Sequence, residues 1–158
     1  MKERSTYDRA LTLLEFRART EAELRRRLLR AGEARDAVEE TIARLRSQHL
    51  IDDEDFARQF ARTRLVAAGA SRRRVIQELS RKGIARDVAE RAVIEMTESE
   101  GLDTGAAAHA VAMKKWKTLA SLDAFTRKRR LYAFLARRGF DPDEIREVMT
   151  TIDGELAE

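Results

Sequence analysis

The sequence has no cysteine, a single proline and few aromatic residues among its 158 positions. The lack of cysteine excludes disulfide bonds and thiol chemistry, and it is compatible with a reducing cytosol. Aromatic residues make up 6% of the chain, whereas charged residues make up 38%. This balance, with one proline, is more typical of a helical or repeat protein than of a β-sandwich or barrel. Hydrophobic residues make up 43%, which is enough for a core.

Long hydrophobic runs are also missing. The longest uncharged stretches are well short of the roughly 20 residues that a membrane-spanning helix needs. The first residues, MKERSTYDRAL, do not contain the apolar core of a signal peptide. We therefore expect a cytoplasmic protein that makes no contact with a membrane.

The sequence offers no catalytic, metal or cofactor motif. Its two histidines, His49 and His109, are far apart, and neither belongs to a recognisable set of nucleophile, base and acid. The acidic run at 52–55 lacks the glycine and the closing glutamate of a calcium loop, so it indicates helix capping. The glycine-containing stretch at 101–108 lacks the Lys-Ser/Thr of a phosphate-binding loop. We expect a protein that is not an enzyme and that needs no cofactor and no metal.

An internal repeat becomes visible when the chain is aligned on Gly32, Gly83 and Gly139. Apolar residues then recur at matching offsets, with the 3–4 residue spacing of one face of a helix. They are Leu24, Val75 and Leu131; Leu28, Leu79 and Leu135; Val38, Ala89 and Ile145; Ile42, Val93 and Met149; and Leu45, Met96 and Ile152. The glycine itself is expected to end one helix in a left-handed conformation before the next begins.

A further helix precedes the two aligned helices of each unit, at about 7–17, from 52 onward, and at about 103–117. In the first of these, Leu13 and Phe16 are alternative inward-facing residues. The prediction is an all-α protein of three tandem three-helix repeats, 1–50, 51–100 and 101–158, stacked into an elongated, curved molecule. The segment 97–105 is the predicted hinge. Thr20 with Glu23 is predicted to form a capping box, and Ser71 to begin the middle helix of the second repeat.

Charge alternates along the chain with the same period. Counting Lys and Arg against Asp and Glu, the middle helices at 20–31, 71–82 and 123–138 carry +2, +4 and +5. The third helices, at 34–48, 85–98 and 141–153, carry 0, −2 and −4. A randomly solvated surface would not repeat in this way. If the repeats stack regularly, the middle helices form a single basic stripe.

We interpret this stripe as a nucleic-acid or filament-binding surface. Its predicted residues are Arg25, Arg26, Arg30, Arg72, Arg73, Arg74, Arg81, Lys82, Arg127, Lys128, Arg129, Arg130, Arg137 and Arg138. The alternative is a solvated helix surface on which Glu78 pairs with Arg74 and Arg81. Base-specific reading is not predicted, because Gln77 is the only amide side chain on these helices. The spacing of Trp116 favours a core position, whereas Tyr132 remains open between core and contact.

Three stretches of the chain resemble the RecX family of bacterial regulators of the RecA recombinase. They are ALTLLEFRARTEAELRRRLLRAG in the first repeat, LIDDEDFARQFARTRL with RRRVIQELSRKGI in the second, and KRRLYAFLARRGF in the third. The resemblance extends from about Arg9 to Ile152 and implies tandem three-helix repeats.

In function, the resemblance implies a monomer that lies in the groove of the RecA filament on single-stranded DNA. There it would limit filament growth, ATP hydrolysis, strand exchange and the co-protease activity of the SOS response, and so affect homologous recombination and DNA repair. Duplex DNA would bind more weakly. The alternative is a basic DNA-binding protein that acts alone, of the nucleoid or transcription-factor type.

Overall fold

The computed structural model describes residues 4–156, which contain nine α-helices and no strand. The helices are α1 Thr6–Phe16, α2 Glu21–Arg30, α3 Arg35–Ser47, α4 Asp53–Arg62, α5 Arg72–Arg81, α6 Arg86–Ser99, α7 Thr104–Thr118, α8 Ala124–Arg137 and α9 Pro142–Glu155. A short π-helical segment, Thr63–Ala67, continues α4. The all-α prediction is confirmed.

The helices group in threes, and each group encloses its own hydrophobic cluster. The residues that the glycine alignment brings into register form these clusters: all are buried except Met96 and Met149, which are partly buried. Three separate cores of equivalent residues are the arrangement expected of a tandem repeat. The repeat predicted from the sequence is therefore confirmed.

Each middle helix ends in the same way. Gly32, Gly83 and Gly139 have φ values of +87°, +84° and +92°, a left-handed conformation that side chains disfavour. The residue after each glycine donates its N–H to a carbonyl five residues earlier, as Ile84 does to Leu79 at 3.1 Å. This is the Schellman pattern of helix termination, and it explains why glycine recurs at this position.

The structure decides between two local alternatives and corrects one local prediction. Phe16 does not face the core: it is 80% exposed, and Leu13 packs against the first cluster instead. The predicted hinge at 97–105 contains the connection between the second and third repeats, residues 100–103, since α6 ends at Ser99 and α7 begins at Thr104; its role as a hinge stays a prediction. Thr20 accepts a hydrogen bond from the Glu23 N–H, but the return bond of a capping box is missing because the Glu23 carboxylate binds Arg17 and Lys82.

Consecutive repeats meet through the ends of their middle helices. The hydroxyl of Thr20, which caps the start of α2, donates to the carbonyl of Lys82 at the end of α5 at 2.6 Å. Ser71, which caps the start of α5, makes the equivalent contact with the carbonyl of Arg138 at the end of α8, at 3.4 Å. The middle helices therefore follow one another end to end, in the order α8, α5, α2.

Charged groups reinforce the joint between the first two repeats. The carboxylate of Asp53 accepts the N–H of Glu21 at 2.9 Å, and Lys82 lies 3.3 Å from the Glu23 carboxylate. The accessible surface of the molecule is larger than that expected of a compact protein of the same mass. The accessible area is 10,245 Å², whereas a compact protein of 18.1 kDa would have about 8,100 Å². The molecule is extended, as three stacked repeats should be.

The central leucines of the repeats should dominate its stability. We expect Leu79→Ala and Leu135→Ala each to lower the free energy of unfolding by about 2–5 kcal/mol, because both side chains are almost completely buried. Leu29→Ala provides the control, since Leu29 occupies a middle helix but is 37% exposed. Urea unfolding followed by circular dichroism measures all three. A core variant no less stable than the Leu29 variant would contradict the assignment of the repeat cores.

Candidate nucleic-acid interface

The face of α5 that points away from its core is lined by basic and polar side chains. Arg73, Gln77 and Arg81 follow one another at four-residue intervals, so they lie on one side of the helix. Together with Ile76 and Ser80 of α5 and the ion pair of Arg86 with Glu90 on α6, they border an open groove of about 640 Å³. Donor groups of this kind suit an anionic chain that runs along the helix.

Eight of the fourteen predicted stripe residues are exposed and have no ion-pair partner within residues 4–156. They are Arg26, Arg30, Arg72, Arg73, Arg81, Arg129, Arg130 and Arg137. All three middle helices contribute to this set, which we call the free arginines. Because the guanidinium groups are held by no acidic neighbour, they remain available to an external anion.

The position two residues before each glycine is arginine in all three repeats: Arg30, Arg81 and Arg137. Each is exposed, and each belongs to the free arginines. Since the middle helices meet end to end and each ends at its glycine, this position recurs once per repeat along the molecule. The repeat therefore places one unpaired cation near the end of each middle helix, and we call these three residues the arginine row.

The other six predicted residues are engaged within the fold. Arg25 makes a two-point ion pair with Glu39, and Lys128 contacts Asp153 at 2.7 Å. Lys82 binds Glu23 at the joint between repeats. The remaining three are Arg74, which pairs with Glu78, Arg127, which lies over the Trp116 ring, and Arg138, which lies over the Phe134 ring.

Glu78 neutralises part of the second repeat. It receives two hydrogen bonds from Arg64, at 2.7 and 2.8 Å, and another from Arg74 at 3.0 Å. These bonds hold the pKa of the Glu78 carboxyl below its usual range, and those from Arg64 have the largest effect. The alternative interpretation from the sequence is thus right for Arg74. It is wrong for Arg81, which makes no bond to Glu78.

Sequence reasoning missed three basic residues near the end of α2. Arg4, Arg9 and Arg27 line a cleft of about 480 Å³ together with Arg30, which was predicted. Arg9 is paired with Glu33 at 3.0 Å, but Arg27 is exposed and has no ion pair in the described chain. The signal was present, because Arg27 belongs to the same Arg-Arg-Arg run as Arg25 and Arg26.

Two aromatic residues of the third repeat behave differently. Trp116 is 5% exposed and belongs to the hydrophobic cluster, which confirms the core position that its spacing predicts. The guanidinium of Arg127 covers its ring at 3.7 Å and also donates to the Trp116 carbonyl. Tyr132 is 40% exposed on α8, next to buried Leu131, so its ring is reachable from solvent.

The acidic run at 52–55 serves the fold. Asp52 caps α4 by accepting the N–H of Asp55 at 3.0 Å, as the capping interpretation predicts. Among residues 4–156, no three His, Asp or Glu side chains are grouped as a metal site would require. The described helices also include none long and apolar enough to cross a membrane.

These features define a class: extended helical-repeat proteins in which each unit presents a basic middle helix. Sequence models of the RecX family identify the three units separately. The first three-helix domain matches residues 7–45, the second 52–93 and the third 103–149. The chain belongs to the RecX family.

Individual relatives agree with this assignment. The chain is 40% identical to the regulatory protein RecX of Mycobacterium avium, over 88% of this chain and 79% of the relative. It is 31% identical to that of Pelodictyon phaeoclathratiforme, over 89% and 84%. The crystal structure of RecX from Lactobacillus salivarius shares the fold, with a TM-score of 0.82, 24% identity and 94% of each chain covered.

Proposed function

We propose that the protein is a regulator, mainly an inhibitor, of the RecA recombinase. It binds in the groove of the RecA filament on single-stranded DNA and limits filament growth, ATP hydrolysis, strand exchange and the co-protease activity of the SOS response. Membership of the RecX family supports the regulatory role. The observation that carries the binding mode is the arginine row, Arg30, Arg81 and Arg137, repeated along an extended molecule.

A regular row of cations is suited to an anionic partner with its own repeating structure. The middle helices contain 10, 10 and 14 residues. At about 1.5 Å per residue, they span up to about 50 Å when placed end to end. A single-stranded DNA backbone or the acidic wall of a filament groove extends over such a distance, whereas a compact ligand does not. Binding in this mode is independent of DNA sequence, because phosphates carry no sequence information.

The second candidate function is DNA binding without RecA. The groove beside α5 favours it, since Arg73, Gln77 and Arg81 can contact DNA phosphates by themselves. Both candidates use the same cations, so mutagenesis of the stripe alone does not separate them. The two candidates differ in the protein concentration that RecA inhibition should require, compared with the concentration that binds DNA in the absence of RecA.

We expect the purified protein to inhibit RecA-dependent ATP hydrolysis at concentrations where it occupies little of the same DNA in the absence of RecA. Both quantities should be measured on one single-stranded oligonucleotide, by a coupled ATPase assay and by fluorescence anisotropy. If about six phosphates are neutralised, log affinity for the bare DNA should fall with log salt at a slope of about −4. Inhibition only at concentrations that saturate bare DNA would favour the second candidate and contradict the first.

A further inference from the structure

A cleft of about 380 Å³ lies between the first two repeats. Its apolar lining comes from both repeats and includes Leu14 and Leu50 of the first and Phe56 and Phe60 of the second. A volume of this size is within the range of about 300–1,000 Å³ found for small-ligand sites. None of the free arginines lines the cleft, although the Lys82 ammonium lies 5.5 Å from the centre of the Phe60 ring.

The side chain of Arg19 also lines this cleft and is 7% exposed. Its Nε atom donates to the carbonyl of Leu13, in the last turn of α1, at 3.0 Å, but its Nη1 atom is buried without any hydrogen-bond partner. A buried donor without a partner costs about 1–3 kcal/mol, and more when the group is charged. Desolvation, with the nearby Arg17 and Arg27 charges, lowers the pKa of Arg19 from its ordinary value.

The polar groups around the cleft limit what this donor can bind. Asp52, Asp55 and Arg64 also belong to the lining, and the guanidinium of Arg64 is already bound by Glu78. The two aspartates repel a doubly charged phosphate more strongly than they repel a singly charged carboxylate ligand. The favoured anion therefore carries one negative charge. The same oxygens, together with the amide of Gln59, can accept N–H groups from a ligand.

We propose that the cleft binds the carboxyl-terminal end of a polypeptide whose last residue is apolar. The terminal carboxylate accepts the free N–H of Arg19, the last side chain packs against the Leu50 and Phe60 walls, and the rim carboxylates accept backbone N–H groups. Since Nη1 has no contact with solvent in the free protein, the lining side chains move aside as the peptide enters. The bond then forms in a region of low dielectric, where it is strong.

The test uses a fluorescein-labelled pentapeptide ending in Leu-Phe, made once with a free carboxyl terminus and once as the terminal amide. We expect the free acid to bind the full-length protein about tenfold to a hundredfold more tightly than the amide, since one charge-assisted hydrogen bond is lost. Fluorescence polarisation measures both affinities. Equal affinity of acid and amide, or no saturation by the acid at millimolar protein, would overturn the proposal.

Variants separate binding from folding. Arg19→Gln should abolish the preference for the acid, but it also removes the bond to the Leu13 carbonyl. Leu50→Glu provides an independent variant: Leu50 is 49% exposed, so the substitution leaves the core intact and places a third carboxylate at the mouth. This substitution should weaken the binding of the free-acid peptide at least about tenfold. Val66→Glu is the matched control, because Val66 is equally exposed and lies outside the cleft lining.

A competition experiment identifies the source of the carboxylate. We expect 4-methylpentanoate, which has an apolar chain and a carboxylate but no peptide groups, to displace the free-acid peptide only at concentrations about tenfold or more above those of the unlabelled peptide. Equal potency of the small acid would contradict the assignment of a polypeptide. Equal loss of binding in Leu50→Glu and Val66→Glu would contradict the assignment of the cleft.

Discussion

Reversing the arginine row, by replacing Arg30, Arg81 and Arg137 with glutamate in one protein, is expected to weaken single-stranded DNA binding about a hundredfold or more. Each substitution removes a cation that has no internal partner and puts an anion in its place. Charge-assisted hydrogen bonds contribute about 1.5–3 kcal/mol each, so the loss of three such contacts exceeds two orders of magnitude in affinity. The slope of log affinity against log salt should also become shallower.

The fold should survive this change, since all three side chains are exposed and form no ion pair that the structure describes. The matched control is Arg35→Glu, Lys114→Glu and Lys117→Glu, which alters net charge equally at exposed sites outside the middle helices. DNA anisotropy, RecA ATP hydrolysis and circular dichroism should be recorded for both triple variants. If the two bind DNA equally well, net charge decides binding and the row has no special role. If the row variant loses DNA binding yet inhibits RecA fully, the arginines contact DNA alone.

The fold was predictable because its signals are local. A glycine that ends a helix and the apolar spacing on either side of it lie within about 20 residues, and the same set occurs three times. The joints between repeats were not predictable in this way. Thr20 and Ser71 have the sequence context of ordinary helix caps, and their second hydrogen bonds go to carbonyl groups 62 and 67 residues away.

The middle helix of the third repeat shows a related limit of prediction from sequence. In the glycine alignment, Arg127 occupies the position of Thr20 and Ser71, and α8 starts one turn earlier than α2 and α5 do. Phe125, which lies in this extra turn, is 75% exposed. The alignment shows that position 127 differs from its counterparts Thr20 and Ser71. The role of those two residues becomes visible only in the joints between repeats.

The candidate site was predictable as a charge pattern and not as a set of residues. Counting charges identifies the middle helices, but it does not distinguish Arg81, which is unpaired, from Lys82, which pairs with Glu23 in another repeat. A cation's partner depends on which side chains the fold brings near it, as with Arg64 and Glu78, 14 residues apart on separate helical elements. The repeated position two residues before the glycine becomes significant once the structure shows that all three arginines there are exposed.

The glycines that end the middle helices should differ in their tolerance of alanine according to what each one contacts. A Cβ atom at Gly83 would lie 2.2 Å from the Ala22 Cβ across the first joint. At Gly139 it would lie 2.9 Å from the Ser71 hydroxyl and 3.0 Å from the Arg74 Cβ, whereas at Gly32 nothing lies within 4 Å. The φ values of the three are similar, so the backbone cost of alanine, about 1–2 kcal/mol, should be common to all.

We therefore expect the loss of unfolding free energy to increase in the order Gly32→Ala, Gly139→Ala, Gly83→Ala. The contact with Ala22 should add about 1–3 kcal/mol at Gly83, because two backbone-anchored atoms cannot move apart without separating the repeats. At Gly139 the Ser71 hydroxyl can rotate, and the fixed Arg74 Cβ lies 3.0 Å away, farther than the 2.2 Å at Gly83, so Gly139 is the intermediate case. Urea unfolding measures the series, and small-angle scattering should show a larger radius of gyration for Gly83→Ala alone.

Combining Gly83→Ala with Ala22→Gly tests whether this one contact is responsible. Removing the Ala22 Cβ costs about 0.5–1 kcal/mol by itself, because glycine is less favourable than alanine within a helix. In the double variant the two Cβ atoms no longer meet, so the combined loss should be smaller than that of the two single changes together by about 1–3 kcal/mol. Ala22→Gly should give no such rescue with Gly32→Ala, where there is no contact to relieve. Additive effects in both pairs would mean that the repeats are not held together through the end of α5, and the continuous line of basic helices would lose its structural basis.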